Sequence, residues 1–416
     1  LITLITNISQ LIAVPKGPVP GPSMRLVDVI PDAALIIEDE RIRWFGPAAE
    51  TPELLGEFRT LDAGGGCVIP GLIDCHTHAV FAGTRESEFV QRIAGLSYLQ
   101  IAQRGGGIRT TMRAVRDATL LELVDLARPR LQAMLAGGVT TVEIKSGYGL
   151  TAHDETKILE AVAELGAELP LELVGTYLAA HALPPEYDGN ASGYLDTMLN
   201  DKLLFKISSV GLAEFADVFC EQSAFNVEDS RRVLETCKHH GLLPKVHADQ
   251  ITQMGASRLA AEVGAISADH LEHVDEASLT AMKKAGTIAV LLPGCSFFLG
   301  VEQADARRIM AAGLPVALAT DFNPGSSMIA SLPLVMSIAC TQMRMTPVEC
   351  LVAATANAAA ALNRHKRIGA IAAGMEADLA ILDAPNLDRF LYEMGRYAVR
   401  AVIKRGQVVA GTAAAS

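Results

Sequence analysis

The stretch Val68-Ile-Pro-Gly-Leu-Ile-Asp-Cys-His-Thr-His78 decides the fold. Its apolar and β-branched residues, interrupted by Pro70-Gly71, read as a buried strand, and residues two apart on a strand share a face. His76 and His78 are therefore expected to point the same way, roughly 6–7 Å apart along the backbone. Two imidazoles converging from one short strand form half of a transition-metal site, so the other half must come from elsewhere in the chain. A His-x-His also arises by chance in surface hairpins. The apolar lead-in and the polar loop that follows favour the end of a buried strand.

Before this stretch, Leu1 to about Cys67 is a series of short β-rich runs broken by turns, with Ala34–Gly46 reading as two strands around a charged turn. After it the pattern changes to strand and helix in alternation. Strands are expected at Val139–Lys145, Leu171–Ala180, Ala216–Glu221, Leu243–Ala248, Ser267–Leu271, Thr287–Leu292 and Val316–Thr320. Helical windows lie between them, among them one capped by Thr119, carrying Pro129 as an expected kink and ending at Gly137. With the strand at Val68 this makes eight repeats, which fits a closed parallel (β/α)8 TIM-like barrel better than an open sheet. Gly105-Gly106-Gly107 is neither a dinucleotide nor a phosphate fingerprint and reads as an ordinary or lid-like loop. From Ala377 the chain turns β-like again and ends in a hairpin around Arg405-Gly406. The simplest organisation inserts the barrel, residues 68–363, into a small composite β-sandwich domain built from residues 1–67 and 364–416.

At 416 residues, half of them hydrophobic and a fifth charged, the chain suits an enzyme with a large core. The formal charge of −12 leaves no electrostatic footprint for nucleic acid or an anionic membrane, so an anionic substrate needs local cations. Seven cysteines without a Cys-x-x-Cys point to buried thiols in a reducing compartment, here the cytoplasm. Leu1–Pro15 is apolar but reads as strand rather than as a secretory leader. Without an initiator Met, the numbering is read as beginning inside the natural N-terminus.

In such barrels chemistry sits at the C-terminal strand ends. His78, Lys145, His181, Glu221, His247, His270 and Asp321 all fall at or just after an apolar run. His76, His78, His247 and Asp321 together supply three imidazoles and a carboxylate, enough to hold one metal ion with room for water. Lys145 and Glu221 are ambiguous and suit a supporting role. His239 and His240 before Gly241 suit the last turn of a helix, and His153 a helix start.

Pro70-Gly-Leu-Ile-Asp-Cys-His-Thr-His78, His247, His270, Asp321 and Gly374-Met-Glu-Ala-Asp-Leu379 resemble the amidohydrolase superfamily over the whole chain. Ala79–Phe89, Gly105–Ile108, Glu143–Gly149 and Asp321–Ser326 resemble the imidazolonepropionase family within it. The resemblance implies hydrolysis of a cyclic amide C–N bond, 4-imidazolone-5-propanoate plus water giving N-formimidoyl-L-glutamate in histidine degradation. It implies one zinc or iron ion on His76, His78, His247 and Asp321, because imidazoles with a carboxylate suit both metals. It further implies substrate contacts from Arg85, Tyr148, His181, Gln250, Asn323, Gly325 and Ser326, and a homodimer as the typical assembly.

The residues agree with much of this. Arg85 can offer a bidentate fork to the carboxylate of a small anionic heterocycle; a surface ion pair with Glu86 or Glu88 is the other reading. His181 can hydrogen-bond a polarised carbonyl, and the Asn323–Ser326 turn can cradle a carboxylate through its backbone N–H groups. Metal-activated hydroxide is expected to attack the ring carbonyl, with His270 as proton carrier and Asp321 as a second catalytic group. Some relatives carry Glu where this chain has Gln250, and an amide cannot take a proton. That substitution counts against the alternative of a deaminase acting on an aminated heterocycle. A non-catalytic metal- or ligand-binding protein is the other alternative.

Overall fold

The apolar runs after residue 71 assemble in chain order into eight parallel strands: Leu72–Asp74, Val139–Lys145, Glu172–Ala180, Phe215–Cys220, Leu243–Ala248, Ser267–His270, Ile288–Leu291 and Val316–Leu318. The structure, a computed structural model, describes residues 1–96, 100 and 106–411; Gly105 of the glycine run lies outside them. Helices cover the sheet from outside, so the strands are buried on both faces and read as near-continuous apolar text. An isolated parallel bridge between Thr77 and Phe322 joins the first strand to the last. There His78 N–H donates to Phe322 O at 2.9 Å and Asp321 N–H to His76 O at 3.0 Å. The expected (β/α)8 barrel is present, and its seam runs through the candidate metal residues.

The remaining strands form a second, mixed sheet of eight among the described residues. Ile2–Ala13 lies within it, between Asp28–Glu38 on one side and Cys67–Pro70 on the other. Leu379–Leu382, Val399–Lys404 and Gln407–Gly411 continue it beyond Cys67–Pro70, so both ends of the chain share one sheet. Alternate residues such as Leu35, Ile37, Leu379, Ile381, Ala401 and Ile403 bury a core of its own.

The structure departs from the sequence reading at Val68–His78. The single strand expected there is two. Cys67–Pro70 pairs with Leu379–Leu382 in the mixed sheet, whereas Leu72–Asp74 pairs with Val139–Lys145 in the barrel. Gly71 makes the transfer. A Cβ there would lie 2.6 Å from the Thr140 side chain, so any larger residue would have to displace it. His76 and His78 consequently project from the segment past the strand rather than from the strand. The helix Leu120–Ala136 has the expected Thr119 cap, closed into a capping box by Glu122, and it continues unbroken through Pro129.

Candidate metal centre and substrate pocket

Four residues meet at the barrel mouth. Ligand atoms of His76, His78 and His247 lie within 4.8 Å of one another, all buried. Asp321 Oδ1 is 3.5 Å from His76 Nε2 and 3.6 Å from His78 Nε2. The backbone at Asp321 is left-handed (φ 50°), and so is that at His270 (φ 83°), an uncommon state for non-glycine residues that here turns both side chains at strand ends.

Two of the imidazoles have a carboxylate behind them. His76 Nδ1 bonds Asp269 Oδ2 at 2.6 Å, which leaves Nε2 for the site. His247 Nδ1 lies 3.1 Å from Asp217 Oδ2. Burial, with the Lys145 charge next, holds His76 well below the usual imidazole range; burial and His181 do the same for His78. Neutral rings are what a cation needs. His76 Nε2, His78 Nδ1 and both ring nitrogens of His247 are buried without a hydrogen-bond partner. Such atoms cost about 1–3 kcal/mol each when left unsatisfied, so their convergence beside a carboxylate fits a bound cation.

The other expected residues surround this cluster. His270 stands 5.8 Å from His76 and 5.4 Å from His247, ring centre to ring centre, with Nδ1 3.7 Å from Glu272 Oε1. Burial works against its protonated form, but Glu272 outweighs that and raises its pKa. His181 stacks on His78 at 5.2 Å and Tyr148 lies 5.6 Å from His78. Burial, then the neighbouring His247, takes the His181 pKa down to about 3. Its Nδ1–H donates to Gly147 O at 3.0 Å, so Nε2 is an acceptor rather than the donor to a carbonyl expected from sequence.

Gln250 donates to Cys295 Sγ at 3.7 Å. Arg85 gives Nε and Nη2 to Glu88 at 3.0 and 2.6 Å, with Nη1 against Gly325. The Asn323–Ser326 turn differs from expectation. Gly325 and Ser326 N–H groups both donate to Asn323 Oδ1 at 2.8 Å, because an Asn side chain readily closes a turn on the backbone two and three residues ahead. These groups shape the loop and are not open to a carboxylate.

Asp217, Asp269, Glu272 and Arg92 went unnoticed in the sequence, and Glu88 was expected only as a surface ion-pair partner of Arg85, whereas the pair is buried. The first two carried a signal: an Asp inside an apolar strand is buried and needs a partner for its charge. Arg92 Nη1 bonds Gly325 O at 2.8 Å and pins the loop. Glu221 accepts from Ile251 and Thr252 N–H at 3.0 and 3.1 Å and anchors the segment after the fifth strand. His239 ends the helix Val227–His239 and His153 begins another, as expected.

Residues 67–409 match the amidohydrolase family. An imidazolonepropionase of Geobacillus sp. (strain WCH70) is 44% identical over 412 residues, 97% of each chain. The chain belongs to the imidazolonepropionase family of amidohydrolases. Another relative, from Chloroflexus aggregans, is 46% identical over 98% of each chain. Among solved structures, atrazine chlorohydrolase of Arthrobacter aurescens, complexed with zinc and atraton, shares the fold with a TM-score of 0.69. It is 18% identical, with 98% of this chain and 95% of that one covered. Membership in the amidohydrolases implies a divalent metal, and the histidine cluster is where this family member could hold it.

Proposed function

We propose that this chain hydrolyses 4-imidazolone-5-propanoate to N-formimidoyl-L-glutamate, a step of histidine degradation. The observation that carries the reading is the set of orphaned, buried ring nitrogens of His76, His78 and His247, clustered beside Asp321, in a chain 44% identical to an imidazolonepropionase. One zinc or iron ion would be held by these four residues, where it would lower the pKa of water and polarise a carbonyl.

The protein's own groups supply the rest. Arg85, its guanidinium steadied by Glu88, binds the propionate through charge-assisted hydrogen bonds. His181 Nε2 accepts a ring N–H, and Tyr148 beside it fixes the plane of the heterocycle. His270 takes the proton of the attacking water and returns it to the ring nitrogen as the C–N bond breaks; Glu272 favours its charged form. Gln250 orients substrate and carries no proton, so the traffic falls on His270, with Asp321 or water. If His270→Ala kept most of its turnover, this role would be lost.

A cytoplasmic protein is the reading its free thiols support, the charge of −12 supports a partner set without nucleic acid, and a homodimer is the assembly the family suggests. Among the described residues no helix is long and apolar enough to cross a membrane. Two units are proposed, 1–70 with 364–416 and the barrel between, because Cys67–Pro70 bonds in the mixed sheet.

The deciding measurement is the fall of imidazolone ultraviolet absorbance with purified protein before and after chelation. Decay that stops on chelation and returns with zinc or iron is expected. No decay with metal-loaded protein would leave only a binding role.

A further inference from the structure

Beneath the histidines the barrel interior holds five fully buried charged side chains where aliphatic residues are usual. Glu143 and Lys145 face inward from the second strand, Asp217 from the fourth, Lys245 from the fifth and Asp269 from the sixth. Lys145 Nζ lies 2.8 Å from Glu143 Oε1, 2.8 Å from Asp217 Oδ2 and 3.7 Å from Asp269 Oδ2. Lys245 Nζ instead reaches Glu143 Oε2 at 2.5 Å and the Cys75 carbonyl at 3.1 Å. Two ammonium groups thus stand among three carboxylates.

A buried ion cluster is a weak source of stability, since well-packed apolar side chains often do as well. Its connections suggest another use. Asp217 approaches His247 Nδ1 at 3.1 Å and Asp269 bonds His76 Nδ1 at 2.6 Å, so Lys145 is common to the partners of both rings. We propose that Lys145 is a positioning residue of the metal centre, its ammonium fixing Asp217 and Asp269 so that the His247 and His76 rings present Nε2 to the ion. Without it, two neighbouring carboxylates lose the cation between them. They then separate or recruit water, and the rings they aim lose their orientation. Ser267 Oγ and the amides of Val218 and His247 hold the other carboxylate oxygens, which leaves the Lys145-facing oxygens as the ones that set the ring geometry.

This inference rests on the metal reading above. The test is the apparent zinc affinity of the full chain, by competition with a chromophoric chelator, with thermal melting alongside. Lys145→Met is expected to lose about 10–100-fold in affinity, the usual cost of removing an outer partner. The charge-balanced pair Glu143→Gln with Lys145→Met is expected to lose as much. Lys245→Met, equally buried, should lower the melting temperature and keep affinity within about threefold, below the range of an outer-partner loss. The proposal is overturned if both Lys145 variants bind zinc like the unaltered chain, or if Lys245→Met loses as much. It is overturned too if neither Lys145 variant folds, since the residue would then serve the fold. If instead the unaltered chain binds no zinc, or His247→Ala binds it equally well, the metal reading itself fails.

Discussion

The two ends of the barrel both gather charged and polar side chains, and they treat them in opposite ways. At the end where the strands begin, Glu172 accepts from Arg364 and Arg367 at 2.8 and 2.5 Å, Arg367 reaches on to Glu376 at 2.9 Å, and Lys404 bonds Asp378 at 2.7 Å. Each cation there has a carboxylate, and the network ties the third barrel strand to the linker and the mixed sheet. At the end where the strands finish, at least one ring nitrogen each of His76, His78, His247 and His270 is buried without a hydrogen-bond partner. Glu172 Oε2 also lacks a hydrogen bond, but Lys404 Nζ stands 3.6 Å from it, whereas the ring nitrogens at the mouth converge on one another, as donor atoms left for a ligand do; that difference separates a structural end from a chemical one. Burial and charge density alone would not have told the two apart.

The contrast is broken most severely at the mouth. His247→Ala should abolish stoichiometric metal and reduce turnover by more than the roughly 100-fold that marks the loss of an outer partner, read by metal analysis and imidazolone absorbance. Normal metal content in that variant would contradict the site. Arg85→Ala should act on substrate rather than on metal: losing a charge-assisted contact of about 1.5–3 kcal/mol raises KM about 10- to 100-fold, with metal content unchanged. An unchanged KM would remove Arg85 from the pocket.

At the opposite end Glu172→Gln should cost about 1–3 kcal/mol of stability, the price of leaving buried donors poorly paired. Denaturant melts measure that loss, while kcat stays as it was. A fall in kcat with unchanged stability would reverse the assignment of the two ends.

The smallest effect is on acid stability. Burial works against the Glu172 carboxylate, but hydrogen bonds from Arg367 and Arg364, with Lys404, outweigh it and hold its pKa at about 2, against 4.5 for the free group. A carboxyl depressed in the folded state contributes stability fully above the unfolded value and loses it as pH falls through the folded one. The window is therefore pH 4.5 down to about 2. Unfolding free energies across it should fall less steeply in Glu172→Gln than in the unaltered chain. Parallel slopes would show that the network contributes nothing there.

The amino-acid sequence by itself determined the alternation of strands and helices and the identity of His76, His78, His247 and Asp321. Periodicity, β-branching and the positions of polar residues at the ends of apolar runs are local properties that survive in the text. It also carried the pairing of the chain's two ends, since both are β-rich and flank the helical repeats. The tertiary structure alone decided what each side chain does. The run from Val68 to His78 divides between two sheets according to its partners far along the chain, Leu379–Leu382 on one side of Gly71 and Val139–Lys145 on the other. His181 spends its proton on Gly147, and Lys145 bridges carboxylates on two other strands. These outcomes depend on distances of 2.6 to 3.7 Å between residues on different elements, and hydrogen-bond and charge pairing at that range follow the closed barrel, not the order of residues.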